Sequence, residues 1–229
     1  MSRVSEVLLG LDSFAYDPGM TEMSMNKAIH GAFRRDLDRF VAALAALPPG
    51  DLTRARQLGT AWANFDDQLT HHHQGEHSIA WPALRAVGVS TDLLATMDAE
   101  HESMAASLAE TRSAVGALTQ RAGIEESRAA LAAFQTLEEV TVAHFDHEEA
   151  EIEEVYLAKR DTAEMKAMGR AFGRVNPARA GRFFAWLLDG ASREEREAVT
   201  REVPGPVVSI IGGIFGRGYR KNVAPVWRG

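Results

Sequence analysis

Seven consecutive residues, His71-His72-His73-Gln74-Gly75-Glu76-His77, put four histidines and a glutamate into one short stretch. Such a run has no use in a hydrophobic core, and histidine is a mediocre helix former that solubility does not require. His72 and Glu76 are four apart, so on a helix they lie one turn apart and aim an imidazole and a carboxylate at one point. Leu58, Trp62, Phe65, Leu69, Ile79 and Ala83 keep near-helical spacing through the stretch, which turns that face inward. An inward imidazole–carboxylate pair needs a partner, and a metal ion answers that need best.

The remaining histidines fall into the same scheme. All of them lie in the first 147 residues, and His144 with Glu148 repeats the four-residue spacing of His72 with Glu76. Apolar periodicity predicts a helix over 22–47, with Ile29, Phe33, Leu37, Phe40, Val41 and Leu44 on its buried stripe, His30 on the same side, and Pro48-Pro49-Gly50 as its stop. A second helix runs over 51–87, capped by Asp51 and bent near Pro82. A third, over 91–121, turns Leu94, Met97, His101, Met104/Ala105 and Leu108 inward. A fourth, over 124–159, does the same with Leu131, Phe134, Leu137, Val140/Thr141, His144, Glu148, Ile152 and Val155. No alternating strand pattern interrupts them. The fold class read from this pattern is all-α, an up-down-up-down four-helix bundle with an additional C-terminal segment of short helices.

Each helix of such a bundle brings one imidazole, from His30, His72, His101 and His144, and two of them add Glu76 and Glu148. Six nitrogen and oxygen donors with no sulfur suit iron or manganese better than a structural zinc. Two carboxylates suit a bridging role between paired metals. His71, His73, His77 and His147 read as flanking residues that face solvent or else stand behind the ligands, with entry of His73, His77 or Glu149 into the coordination sphere left open; His73 and His77 could form an adventitious surface site. Glu149, Glu151, Glu153 and Glu154 read as a solvated acidic face.

Composition bounds the rest. The chain has 229 residues, 45% of them hydrophobic and 25% charged, with a formal net charge of −7 and no cysteine. The charge argues against nucleic-acid binding, and the missing cysteines exclude disulfides, thiolate zinc sites and a cysteine nucleophile. The apolar stretch over 7–11 is too short and too flanked by acids for a secretory signal, so the expectation is cytoplasmic. Residues 1–21 read as an irregular arm. Residues 161–229 are net basic against an acidic remainder and read as short helices folding back on the bundle through Phe183, Phe184, Trp186 and Leu187 and through Val207, Ile210, Ile211 and Phe215. Membrane attachment is not expected.

The pattern His…His-xxx-Glu…His…His-xxx-Glu, with HHHQGEHSIAWPAL on the second helix and HFDHEEAEI on the fourth, resembles the hemerythrin-like (HHE cation-binding) family over 22–160. The resemblance implies a non-haem di-iron centre, two oxo- or hydroxo-bridged Fe ions, that binds O2 or related small oxidants. It assigns His30, His72, Glu76, His101, His144 and Glu148 as ligands, with Glu76 and Glu148 as bridges and no catalytic residue beyond them. Two departures from the oxygen carriers stand out: Ala105 occupies the place of a second third-helix histidine, and Glu148 replaces an aspartate one residue further on, where this chain has Glu149. A gap beside Ala105 implies an exchangeable position, and hence catalase-like consumption of hydrogen peroxide over O2 carriage, with nitric oxide as a further ligand. The alternative is an iron or redox sensor that acts on a protein partner.

Overall fold

The computed structural model describes residues 22–228, and the expected N-terminal arm over 1–21 lies outside the described residues. Helices α1 (Met25–Ala45), α2 (Leu52–Gly75), α4 (Thr91–Arg121) and α5 (Ile124–Lys159) form the bundle. Between α2 and α4 the chain passes through a π turn, Glu76–Ala80, and the short α3 (Trp81–Ala86). There is no strand among the described residues. In cross-section α1 packs on α2 and α5, and α4 packs on the same two, so the chain runs round the bundle in order.

Local chemistry sets the boundaries. The side chains of Ser24, Asp51 and Ser90 accept the first free N–H groups of α1, α2 and α4. Gly50 and Gly88, at φ 84° and 104°, make the tight turns before α2 and α4. The bend anticipated near Pro82 takes the form of the π turn. Pro82 has no N–H to bond back along the helix, and Trp81 N–H reaches Glu76 O, five residues away.

The buried stripes match those expected at Phe33, Leu37, Phe40, Leu44, Leu94, Met97, Met104, Leu108, Phe134, Leu137 and Ile152. Aromatic rings fill the centre: Phe40 stacks on Phe134 at 4.4 Å, and Phe33 meets Phe65 edge-on at 5.6 Å. Ala105 differs from expectation. It is exposed, and the inward face of α4 continues through Met104 and Leu108.

Beyond the bundle come α6 (Ala163–Phe172), α7 (Pro177–Leu187), α8 (Arg193–Glu202), α9 (Gly205–Phe215), α10 (Arg217–Asn222) and a final 3-10 turn, Ala224–Trp227. α7 and α8 lie along α1. Trp186 is fully buried, its ring 4.7 Å from Phe33 and its Nε1 donating to Asp36 Oδ2 at 2.9 Å. Arg35 forks onto both oxygens of Glu195, at 2.8 and 2.9 Å. Of the stripe expected on α9 only Ile211 packs against the core. α9 buries Val208 and Gly212 against α7 and leaves Val207, Ile210, Ile214 and Phe215 exposed. Close approach decides this: a Cβ on Gly181 of α7 would meet Phe215 Cβ at 2.4 Å and Ile211 O at 2.6 Å. Among the described residues no helix is long and apolar enough to cross a membrane.

Candidate metal centre

All six residues singled out by spacing meet inside the bundle. His30 Nε2 lies 3.3 Å from Glu148 Oε2, and His72 Nε2 lies 3.1 Å from Glu76 Oε1. His101 Nε2 lies 3.3 Å from Glu76 Oε2 and 3.0 Å from His144 Nε2, which is itself 3.9 Å from Glu148 Oε2. The donors form two overlapping groups: His30, His72 and Glu76, and then His73, Glu76, His101 and His144, with the ligand atoms of each group within 4.8 Å of one another.

Several of these atoms approach without satisfying each other. His72 Nε2, His73 Nε2, both Glu76 oxygens and Glu148 Oε2 are buried with no hydrogen-bond partner. Orphaned buried polar atoms cost about 1–3 kcal/mol each. A cluster of them pointing at one another is relieved by a proton or a cation placed among them. Among protein atoms alone, burial and then the facing Glu148 push the Glu76 carboxyl well above the usual carboxylate range. Burial pulls His72 and His73 well below the ordinary imidazole range and brings His101 down to about 4, so these rings are neutral and offer lone pairs. His30 differs: burial would lower it, but Glu148 and Glu149 outweigh burial and raise it.

A surrounding ring of partners fixes the imidazoles. Glu100 accepts from His144 Nδ1 and His147 Nδ1, both at 2.7 Å, so the free lone pair of His144 is on Nε2. Glu149 accepts from His30 Nδ1 at 3.1 Å and from Arg34 at 2.6 Å. Burial disfavours the Glu149 carboxylate, but these hydrogen bonds prevail and hold it at about 2. Asn26 Nδ2 donates to Glu148 Oε1 at 3.0 Å, which leaves Glu148 Oε2 as the free oxygen. Asp98 takes Trp81 Nε1 at 2.8 Å and His77 Nδ1 at 3.1 Å. Phe145 stacks on His30 at 3.9 Å, and the Trp81 ring lies parallel to His101 at 5.9 Å.

This geometry agrees with a family-level comparison: the hemerythrin HHE cation-binding domain family matches residues 24–156. The chain belongs to that family. Searches of curated proteins and of solved structures returned no match. Hemerythrin-type domains bind metal cations, and the His/Glu groups of this chain could hold one.

Three expectations about neighbouring residues change. His71 and His77 are exposed, as read, and His147 is tied to Glu100, but His73 stands inside the second donor group. Glu149 is no solvated acid; it holds His30, Arg34 and, at 3.3 Å, Lys27. Glu153 likewise accepts from Ser24 N and Oγ at 2.7 and 2.5 Å and so pins the start of α1. The three-residue spacing of His73 to Glu76 puts the two one turn apart, but spacing alone does not say that this direction leads inward. Asn26, four residues before His30 on α1, carries the same kind of signal, since its Nδ2 lies 3.3 Å from His30 Nε2; Glu100 carries none, because its partners lie on another helix.

Proposed function

We propose that the chain is a non-haem di-iron protein that binds or reacts with a small oxidant, O2, hydrogen peroxide or nitric oxide, at a centre held by His30, His72, Glu76, His101, His144 and Glu148. The observation that carries this reading is the convergence of His72 Nε2, both Glu76 oxygens and Glu148 Oε2, all buried and unpartnered, within a set of imidazoles. Nitrogen and oxygen donors without thiolate fit iron, and two carboxylates reaching toward both imidazole groups fit a bridged pair. When bound, an iron pair supplies reversible electron transfer to a small oxidant.

The chain supplies the setting. Glu100 and Glu149 hold protons on the Nδ1 atoms of His144 and His30, so the lone pairs of both rings lie on Nε2, where Asn26 Nδ2 approaches His30 at 3.3 Å and His101 approaches His144 at 3.0 Å. Phe33, Phe145 and Trp81 wall the cluster and limit water. Residues 22–160 are proposed as the metal-holding unit, with 161–229 as a brace. Peroxide turnover draws no support from a gap beside Ala105, because that residue faces solvent. Binding of O2 or nitric oxide therefore stands level with it.

Reduced, iron-loaded protein exposed separately to O2, nitric oxide and hydrogen peroxide should change its visible spectrum with at least one of them, and Glu76→Gln should abolish the response. Silence toward all three would overturn the reading.

One contact favours a second reading, a sensor whose metal state acts on a protein partner. Phe172, at the end of α6, lies so close to Gly75 that a Cβ there would meet its Cε1 at 2.7 Å. The C-terminal segment thus touches the turn that carries Glu76. A partner captured in only one redox state of the protein would support this second reading.

A further inference from the structure

His72 and His73 are neighbours in sequence yet belong to different donor groups. Consecutive residues on an α-helix point about 100° apart. α2 is flanked by α1 on one side and α4 on the other, so that step sends two adjacent imidazoles to two different neighbours. His72 meets His30 of α1 edge-on at 5.2 Å, whereas His73 stacks on His101 of α4 at 4.3 Å and meets His144 edge-on at 6.0 Å. Glu76, three residues after one and four after the other, lies within reach of both.

We propose that His73 is a metal ligand, the third imidazole of a pocket it shares with His101 and His144. It would supply from α2 the donor that position 105 of α4 does not. This rests on the di-metal reading above and deepens it. The ordinary alternative is that the His73 ring only packs against His101. Packing alone does not call for a buried nitrogen: His73 Nε2 is enclosed and unpartnered, and a leucine or phenylalanine would fill that space without the cost of an orphaned polar atom. The nitrogen instead belongs to one group with Glu76, His101 and His144, all ligand atoms within 4.8 Å.

The consequence is an uneven centre. One pocket holds three imidazoles (His73, His101, His144) and the other two (His30, His72), with Glu76 and Glu148 between. The donor-poor half is the one beside His30 and His72, walled by Phe33 and Phe145. An added small ligand should bind on that side and not beside α4.

The test counts ligating imidazoles without relying on activity. In cobalt(II)-loaded protein, each histidine bound through Nε2 gives one strongly shifted, solvent-exchangeable Nδ1–H proton resonance. The full-length protein should take up two cobalt ions and show five such signals. His73→Ala and His73→Gln should each lose one, and His77→Ala, at an exposed position, should lose none. Free imidazole should rescue the metal retention of His73→Ala. Four signals in the unsubstituted protein, or five retained in both His73 variants, would overturn the assignment of His73 and leave the di-metal reading intact. Uptake of fewer than two cobalt ions would overturn the di-metal reading, and this assignment with it. The count in the unsubstituted protein decides the matter even if a variant fails to fold.

Discussion

His101 Nε2 and His144 Nε2 lie 3.0 Å apart across the α4–α5 interface, while the far nitrogen of His144 donates to Glu100. With the His144 proton fixed on Nδ1, its Nε2 has only a lone pair to offer. The two nitrogens can share a proton from His101, or both can face a cation. The second arrangement also accounts for the unpartnered oxygens of Glu76 beside them.

Glu100 is therefore expected to matter although it belongs to neither donor group. Glu100→Ala frees the His144 ring to change tautomer and should weaken metal affinity roughly 10–100-fold. His147→Ala, which removes the other donor to the same carboxylate, should change it far less. Competition with a chelator of known affinity checks both.

Metal and fold should be linked. Binding to the folded chain alone raises the melting temperature, and Glu76→Gln or Glu148→Gln should erase most of the difference between loaded and stripped protein. Equal melting curves for loaded and stripped unsubstituted protein would remove the structural role given to the ion.

The latch between bundle and C-terminal segment makes a pH-dependent prediction. Burial raises the pKa of Asp36, and the hydrogen bond from Trp186 together with Arg39 offsets this only in part. Trp186→Phe removes that bond and should destabilise the fold by about 1–3 kcal/mol at neutral pH. A carboxyl whose folded-state pKa lies above its unfolded one loses stability as pH rises through the folded value. The penalty should thus shrink as pH falls toward the ordinary value of 3.8. Trp227→Phe should cost less, since the Trp227 indole nitrogen bonds nothing. Urea denaturation at several pH values measures all of this.

Much of the bundle and of its donor set could be read from the sequence because both are written in helical spacing. His72 with Glu76 and His144 with Glu148 announce themselves at four residues, and Phe33, Leu37, Phe40 and Leu44 mark the buried face of α1. Adjacency hid His73: a residue next to a ligand sits about 100° round the helix, and only the positions of α1 and α4 on either side of α2 reveal that this direction also leads inward. Ala105 misled for the opposite reason, since four-residue spacing from His101 promised an inward place that the rotation of α4 gives to Met104. Glu100 and Glu149 act through partners on other helices, as does Asn26 in its bond to Glu148, and no local spacing encodes that. On α9 hydrophobicity does not translate into burial at Val207, Ile210 and Phe215, because the contact between α7 and α9 is set by Gly181 and Gly212 and brings in only Ile211 of the expected stripe.

Anaerobic titration of metal-free protein with ferrous iron, followed by metal analysis and visible spectroscopy after admission of air, tests the central claim most directly. The account predicts a break at two irons per chain, yellow-brown oxo-bridged absorption after air, and loss of both in Glu76→Gln. A break at one iron, or a chain that takes up a single zinc and excludes iron under iron-replete conditions, would contradict it.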